Sequence, residues 1–267
     1  MTRLLTVLAF LFALTSPATA FSPVDVERLL SSMECRRCDL NGAGLKEVAL
    51  KGADMQKAQL REAELKDADL RGANLTGADL RRADLEKVDL SGSAMAESKL
   101  RGIDLEKANM AGANLSQSDL READLAKTNL SRAVLDEADM RGAYAKRAVL
   151  EDASLKGADM VGVNLERAQL PRASLEGADM RRAHLVRAEM PSVKLKGADL
   201  SKSNLRRANL VGADLRKADL SDTVLYRTDL TGADLSGVRG LKQVRLNTAC
   251  GDATTVLPKG LKVQPCE

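Results

Sequence analysis

The chain has 267 residues, with 41 Lys and Arg against 38 Asp and Glu and a formal net charge of +3. This near balance excludes a strongly acidic polyanion. With no Trp, two Tyr, three Phe and one His, it also offers few rings to stack on nucleic-acid bases and a single imidazole for acid–base chemistry.

Residues 1–20 read as a leader rather than as part of a fold. Arg3 supplies a positive start, Leu4 to Leu14 an apolar stretch, and Ala18-Thr19-Ala20 a small-residue cleavage site. The stretch is shorter than the roughly 20 residues a bilayer span requires. Cleavage after Ala20 and export, to a bacterial periplasm or beyond, are expected, with no transmembrane segment in the mature chain. Residues 21–35 then predict a capping helix. Ser22 is its N-cap, Pro23 opens the first turn, and Asp25 stands three residues after the cap. Val26, Leu29, Leu30 and Met33 are expected on one face, covering the open end of the repeat region beyond.

From Leu40 to Leu235 every fifth residue is Leu or Met, apart from Ala145. Two residues before each stands a small or β-branched residue, as in Ala53, Ala58, Ala63 and Ala68. A helix would rotate the Leu positions by about 140° per repeat and smear them around all sides. Residues two apart do share one side of a short extended segment. A chain that makes such a segment, turns a corner and repeats buries every Leu and every Ala. The corner residue, two after each Leu, is often Gly (Gly52, Gly72, Gly77, Gly92), which suits a turn with unusual dihedrals.

Units such as Ala73-Asn74-Leu75-Thr76-Gly77 and Ala78-Asp79-Leu80-Arg81-Arg82 resemble the A(D/N)LXX unit of pentapeptide-repeat proteins. The resemblance covers residues 36–237. It implies an all-β fold, a right-handed quadrilateral β-helix with four pentapeptides per coil. Surface residues recur independently at that period: Lys87, Lys107, Lys127, Arg147, Arg167, Arg187, Arg207 and Arg227 form an unbroken basic column at a spacing of twenty. Arg61, Arg81, Arg101, Arg121 and Arg141 form another. About ten coils result, a rod roughly 45–50 Å long at about 4.8 Å per coil. Residues 238–267 leave the register and read as a C-terminal cap.

Four cysteines in an exported chain suggest disulfides. Cys35 and Cys38 sit at one end of the rod, Cys250 and Cys266 beyond the other. A bond needs α-carbons within about 7 Å, so pairing along the rod is excluded. Cys250–Cys266 is expected to staple the cap. For Cys35 and Cys38 a bridge, buried free thiols, and redox or zinc chemistry are the readings; the last lacks a βαβ context and a fourth ligand.

On the surface, His184 stands in an outward slot, and the sequence shows no nucleophile with a base at meaningful spacing and no Gly-rich phosphate loop. An enzyme and a cofactor are not expected. The Asp column (Asp119, Asp139, Asp159, Asp179, Asp199, Asp219) offers oxygen ligands for calcium, but a short polar residue before each Leu also suits corner hydrogen bonding. The basic column from Lys87 to Arg227 is the candidate binding surface, on a face about three charges positive. Its expected partner is an unidentified protein or an anionic envelope component, not nucleic acid. The resemblance offers one alternative, since some family members are cytoplasmic DNA mimics that bind type II topoisomerases. Their rods are strongly acidic, and this chain departs from that pattern in charge and in carrying a leader.

Overall fold

The computed structural model describes residues 21–266; the expected leader lies outside the described residues. Helix α1 (Pro23–Ser32) begins at the expected cap, where the Ser22 hydroxyl accepts from the Asp25 N–H at 3.3 Å. It is shorter than 21–35, because Met33 turns left-handed at φ 60° and donates to the Leu29 carbonyl. Leu29 is buried, and Val26 and Met33 pack against the core. Leu30 departs from the expectation: it is 47% exposed, at the flank of the face that Val26, Leu29 and Met33 turn to the rod.

The rod starts directly afterwards, with Glu34 bridging to Asp54. Parallel bridges then join each unit to the one twenty residues later, without a slip, as far as Asp219 and Arg239. Four five-residue units therefore close each coil. The extended segments are so short that each contributes one bridge; among the described residues the only longer pairing lies in the cap.

Backbone hydrogen bonding explains the five-residue alphabet. Taking the unit around Leu85, the Leu85 N–H donates forward to the Asp104 carbonyl at 2.8 Å, and the Asp84 N–H donates back to Ala63 at 3.0 Å. At the corner the Lys87 N–H donates to Glu106 at 2.9 Å, and the Val88 N–H closes the turn onto Leu85 at 3.1 Å. The Glu86 N–H has no backbone partner among the described residues, and the Asp84 carboxylate accepts it at 3.0 Å. A short Asp or Asn before the Leu is thus the acceptor for the one donor the ladder leaves over. Asp84→Ala is expected to cost about 0.5–2 kcal/mol, as loss of a comparable helix cap does, measurable by denaturant unfolding.

Inside, the large and small side chains stack coil upon coil. Leu130, Met140 and even Ala145 are fully buried, as are Ala133 and Ala138 two places before their Leu or Met. Ser98, Ser118 and Thr128 take the small slot on some coils, and their hydroxyls return to backbone carbonyls at 2.6–2.8 Å. The corner residues carry a surprise. Gly52 and Gly72 have positive φ as expected, yet so do Lys57, Glu62, Arg82 and most other non-Gly corner residues, at 57–61° for these three. The ladder on both sides fixes this conformation despite a cost of about 1–2 kcal/mol for an L-residue.

The cap continues the rod rather than replacing it. Asp229 bridges to Cys250 and Asp234 to Val256, so the coil lengthens by one residue and then by two. The short helix α2 (Gln243–Leu246) absorbs the first insertion and buries Leu246. Strand β1 (Cys250–Gly251) pairs in parallel with β2 (Gln264–Pro265), and Cys250 is bonded to Cys266 across that pair. At the opposite end Cys35 is bonded to Cys38, both buried. No helix among the described residues is long and apolar enough to cross a membrane.

Candidate binding surface

The basic column lies along one corner of the rod, on the face built by the units centred at 45, 65, 85 and so on to 225. Every member has a left-handed backbone, from Lys87 at φ 59° to Arg227 at 57°. The other three corner columns use Gly repeatedly, for example Gly142 and Gly162, Gly92 and Gly112, Gly177 and Gly197. This column has no Gly in ten coils, since Glu47 and Asp67 precede Lys87. Charged side chains therefore stand where the residue cheapest in backbone strain is absent throughout.

The column divides in two. Lys87, Lys107 and Lys127 are neutralised by Glu86 and Glu106: Lys87–Glu86 is 3.3 Å, Lys107–Glu106 3.1 Å and Lys127–Glu106 2.9 Å. Lys66, bonded to Glu86 from the coil before, and Lys87 hold the Glu86 carboxyl down to about 2. Lys127 and Lys107 likewise lower that of Glu106. From residue 147 onward the column changes from Lys to Arg and the carboxylates thin out. Arg167 is 3.8 Å from Glu166. Arg147, Arg187, Arg207 and Arg227 have no carboxylate partner within 4.0 Å among the described residues.

The whole face shares that division. Units 43–127 carry five Lys against eight carboxylates, and units 143–227 carry seven Lys or Arg against Glu166 alone. The sum is the three positive charges expected from sequence, but it is assembled from an acidic half and a strongly basic one. Both tyrosines of the chain and its one histidine fall on the basic half: Tyr144 is 41% exposed and Tyr226 40%, with His184 exposed between them. Arg206 lies 4.9 Å and Arg227 5.6 Å from the Tyr226 ring centre. A cleft of about 390 Å³ beside Tyr144 lies where the two halves meet, edged by Lys127, Lys146 and Arg147 and also by Glu106 and Asp124 of the acidic half. Another of about 390 Å³ beside Tyr226 is edged by Val224 and by Val244 of α2. Averaging over ten coils hid this arrangement; the change from Lys to Arg between 127 and 147 was the signal for it.

The other sequence candidates are structural. In the second basic column Arg81, Arg121 and Arg141 grip the Asp two residues before, as Arg121 grips Asp119 at 2.7 and 2.6 Å, while Arg61 donates to Asp79 and Arg101 to Glu122, each at 2.8 Å; Arg71, Arg181 and Arg216 elsewhere grip their Asp in the same way. All six members of the Asp column accept a corner N–H, Asp159 from Val161 at 3.3 Å and Asp199 from Ser201 at 2.9 Å. Asp229 lies 3.3 Å from the sulfur of Cys266, which is occupied in the disulfide. Arg71 holds the Asp69 carboxyl down to about 2. The stability contributed by Asp69 and Glu86 is therefore complete above about pH 5 and is lost as pH falls from there through their folded values near 2. Urea unfolding at successive pH values should show a shallower acid loss in Asp69→Asn than in the parent chain.

Four five-residue units per coil, a ladder of single parallel bridges and Leu stacked inside define a β-solenoid. Residues 30–239 match the family model for pentapeptide repeats in eight overlapping copies, and the chain belongs to the pentapeptide-repeat family. No curated protein matches it in sequence. Among solved structures it is similar to HetL, a pentapeptide repeat protein involved in heterocyst differentiation regulation from the cyanobacterium Nostoc. Identity is 33%, over 81% of this chain and 90% of HetL, with a TM-score of 0.35. It is also similar to a trypsin-treated form of QnrB1, a plasmid-mediated fluoroquinolone resistance protein. There identity is 18%, over 73% of this chain and 86% of QnrB1, with a TM-score of 0.50, a likeness of fold alone. Rfr23, a pentapeptide repeat protein from the cyanobacterium Cyanothece, is 33% identical over 36% of this chain and 64% of its own, with a TM-score of 0.33.

Proposed function

We propose that the chain is an exported, non-catalytic scaffold whose rigid rod presents a cationic surface to an anionic partner. The observation that carries this reading is the Arg half of the corner column. Five consecutive coils hold Arg in left-handed backbone where Gly would relieve strain, and four of the five have no carboxylate partner among the described residues. Like charges about 5 Å apart repel by roughly 0.8 kcal/mol even in water, so such a row is disfavoured until an anion lies on it. Export draws its support from the leader-like residues 1–20 and from the two disulfides, which persist in oxidising compartments. The alternative of an acidic DNA mimic draws none: the acidic half-face exceeds neutrality by only three charges and is laced with Lys.

Cell fractionation with mass spectrometry of the mature N-terminus tests the compartment. The expected product starts at Phe21, outside the cytoplasm, with all four cysteines oxidised. An intact N-terminus on a cytoplasmic protein with four thiols would overturn the export reading.

A further inference from the structure

We propose that the basic half-face, from the unit centred on Ala145 to the unit centred on Leu225, is a binding site for an acidic polysaccharide whose sugar rings carry carboxylates. This inference rests on the binding reading above and names the chemistry of the partner.

Three kinds of group meet on these five coils. The first is the row Arg147, Arg167, Arg187, Arg207 and Arg227, one planar guanidinium per coil, with Arg206 beside it. A guanidinium pairs with a carboxylate through two parallel hydrogen bonds. At about 4.8 Å per coil the row spans about 19 Å, suited to a linear polymer bearing regularly spaced anions. The second is the pair of exposed tyrosines, one at each end of the row and each beside a cleft of about 390 Å³. An aromatic ring offers an apolar face to the C–H side of a sugar and keeps a polar tip for its hydroxyls. The third is a polar strip between the tyrosines, formed by Asn164, His184 and Asn204, stacked through successive bridges. The side-chain oxygens of Asn164 and Asn204 take corner N–H groups at 3.0 and 3.1 Å. Their amide N–H groups have no partner among the described residues, whereas those of Asn74, Asn109 and Asn129 on other faces donate to a neighbouring coil. Outward donors of this kind match the hydroxyl and ring oxygens of a glycan.

Other polyanions fit less well. An extended peptide would gain by adding a strand, but the rod's backbone groups are already committed to the ladder. It also spaces same-side charges about 6.7 Å apart, out of step with the coils. An anionic bilayer spreads its charge in two dimensions and rewards protruding apolar groups, whereas the exposed valines here gather at one end, Val224 and Val244, and Asn164, His184 and Asn204 leave the strip between the tyrosines polar.

The test uses the disulfide-intact protein and polygalacturonate as probe. Neutral dextran, phosphatidylglycerol–phosphatidylethanolamine vesicles and oligo-dT are compared at the same salt. The decisive variant is Arg187→Gly/Arg207→Gly/Arg227→Gly. Gly accepts the φ of 56–58° found at these corners, so the unfolding midpoint should equal or exceed that of the parent. Its affinity for polygalacturonate should fall roughly tenfold or more, with a flatter salt dependence as fewer counterions are released. Arg82→Gly/Arg132→Gly/Arg172→Gly, the same charge change off the half-face, should bind within about twofold of the parent. Tyr226→Ala should weaken binding without altering the salt slope.

Equal loss in both triple variants would overturn the site. Preference of the parent chain for vesicles or oligo-dT, lost in Arg187→Gly/Arg207→Gly/Arg227→Gly, would overturn the polysaccharide and leave the cationic scaffold standing. Parent protein that binds none of the anionic probes would remove both.

Discussion

Leu130→Ala is expected to destabilise the rod by about 2–5 kcal/mol, the cost of emptying a fully buried large side chain. Leu130 is completely enclosed, with Met110 and Leu150 in the coils on either side of it. Neither can move far into the void, because both backbones are pinned by the ladder, Met110 to Asn129 at 2.7 Å and Leu150 to Gln169 at 2.7 Å. The damage should also stay local. Each coil touches only its neighbours, so stability is a sum of coil and interface terms. Hydrogen exchange should quicken over residues 105–155 and keep its parent pattern near 45–65 and 205–230. A cost below about 1 kcal/mol would mean that the core is loosely filled and that the periodic Leu is not what holds the rod.

Replacing Cys250 and Cys266 by Ser should cost about 3 kcal/mol in the loop-entropy account, given a separation of 16 residues. Its distribution is the sharper expectation. The bond ties the last coil closed through β1, and β1 is itself bridged to Asp229. Without it the rod frays from that end, so hydrogen exchange should rise over 215–240 and remain unchanged over 80–120. Uniform weakening along the chain would show that the rod melts as one unit. Peptide mapping without reductant provides the companion check, with Cys35 joined to Cys38 and Cys250 to Cys266.

The coil period was legible because two independent signals agreed: the Leu register inside and the Lys/Arg recurrence outside. The helix start at Ser22 was legible too, since a cap is a local event. What failed to show were features set by the ladder rather than by the residue. Gly marks corners that turn left-handed, but Glu62, Asp67 and Arg82 turn the same way with no sign in sequence, because bonds from two neighbouring coils hold them there. The cap looked unrelated to the repeat, since coils of 21 and 22 residues erase a five-residue register while preserving the stacking. Leu30 looked like a core residue by type, but the packed face of α1 centres on Leu29 and Met33 and leaves Leu30 at its exposed edge. The candidate surface was legible as a column and not as a half-face. Its acidic and basic portions cancel in a sum, and two tyrosines 82 residues apart give no hint that they share a face.

The unbroken step of twenty residues also governs how such a chain can change in length. Gaining or losing one whole coil extends or shortens the rod and leaves each column aligned above and below the change. Gaining or losing a single five-residue unit is equally harmless to the core, since Leu still succeeds Leu, yet it rotates everything beyond it by a quarter turn. The row from Arg147 to Arg227 would then be carried intact to a different side from Lys87 to Lys127. Folding tolerates edits in fives, while the continuity of any surface that runs along the rod tolerates them only in twenties.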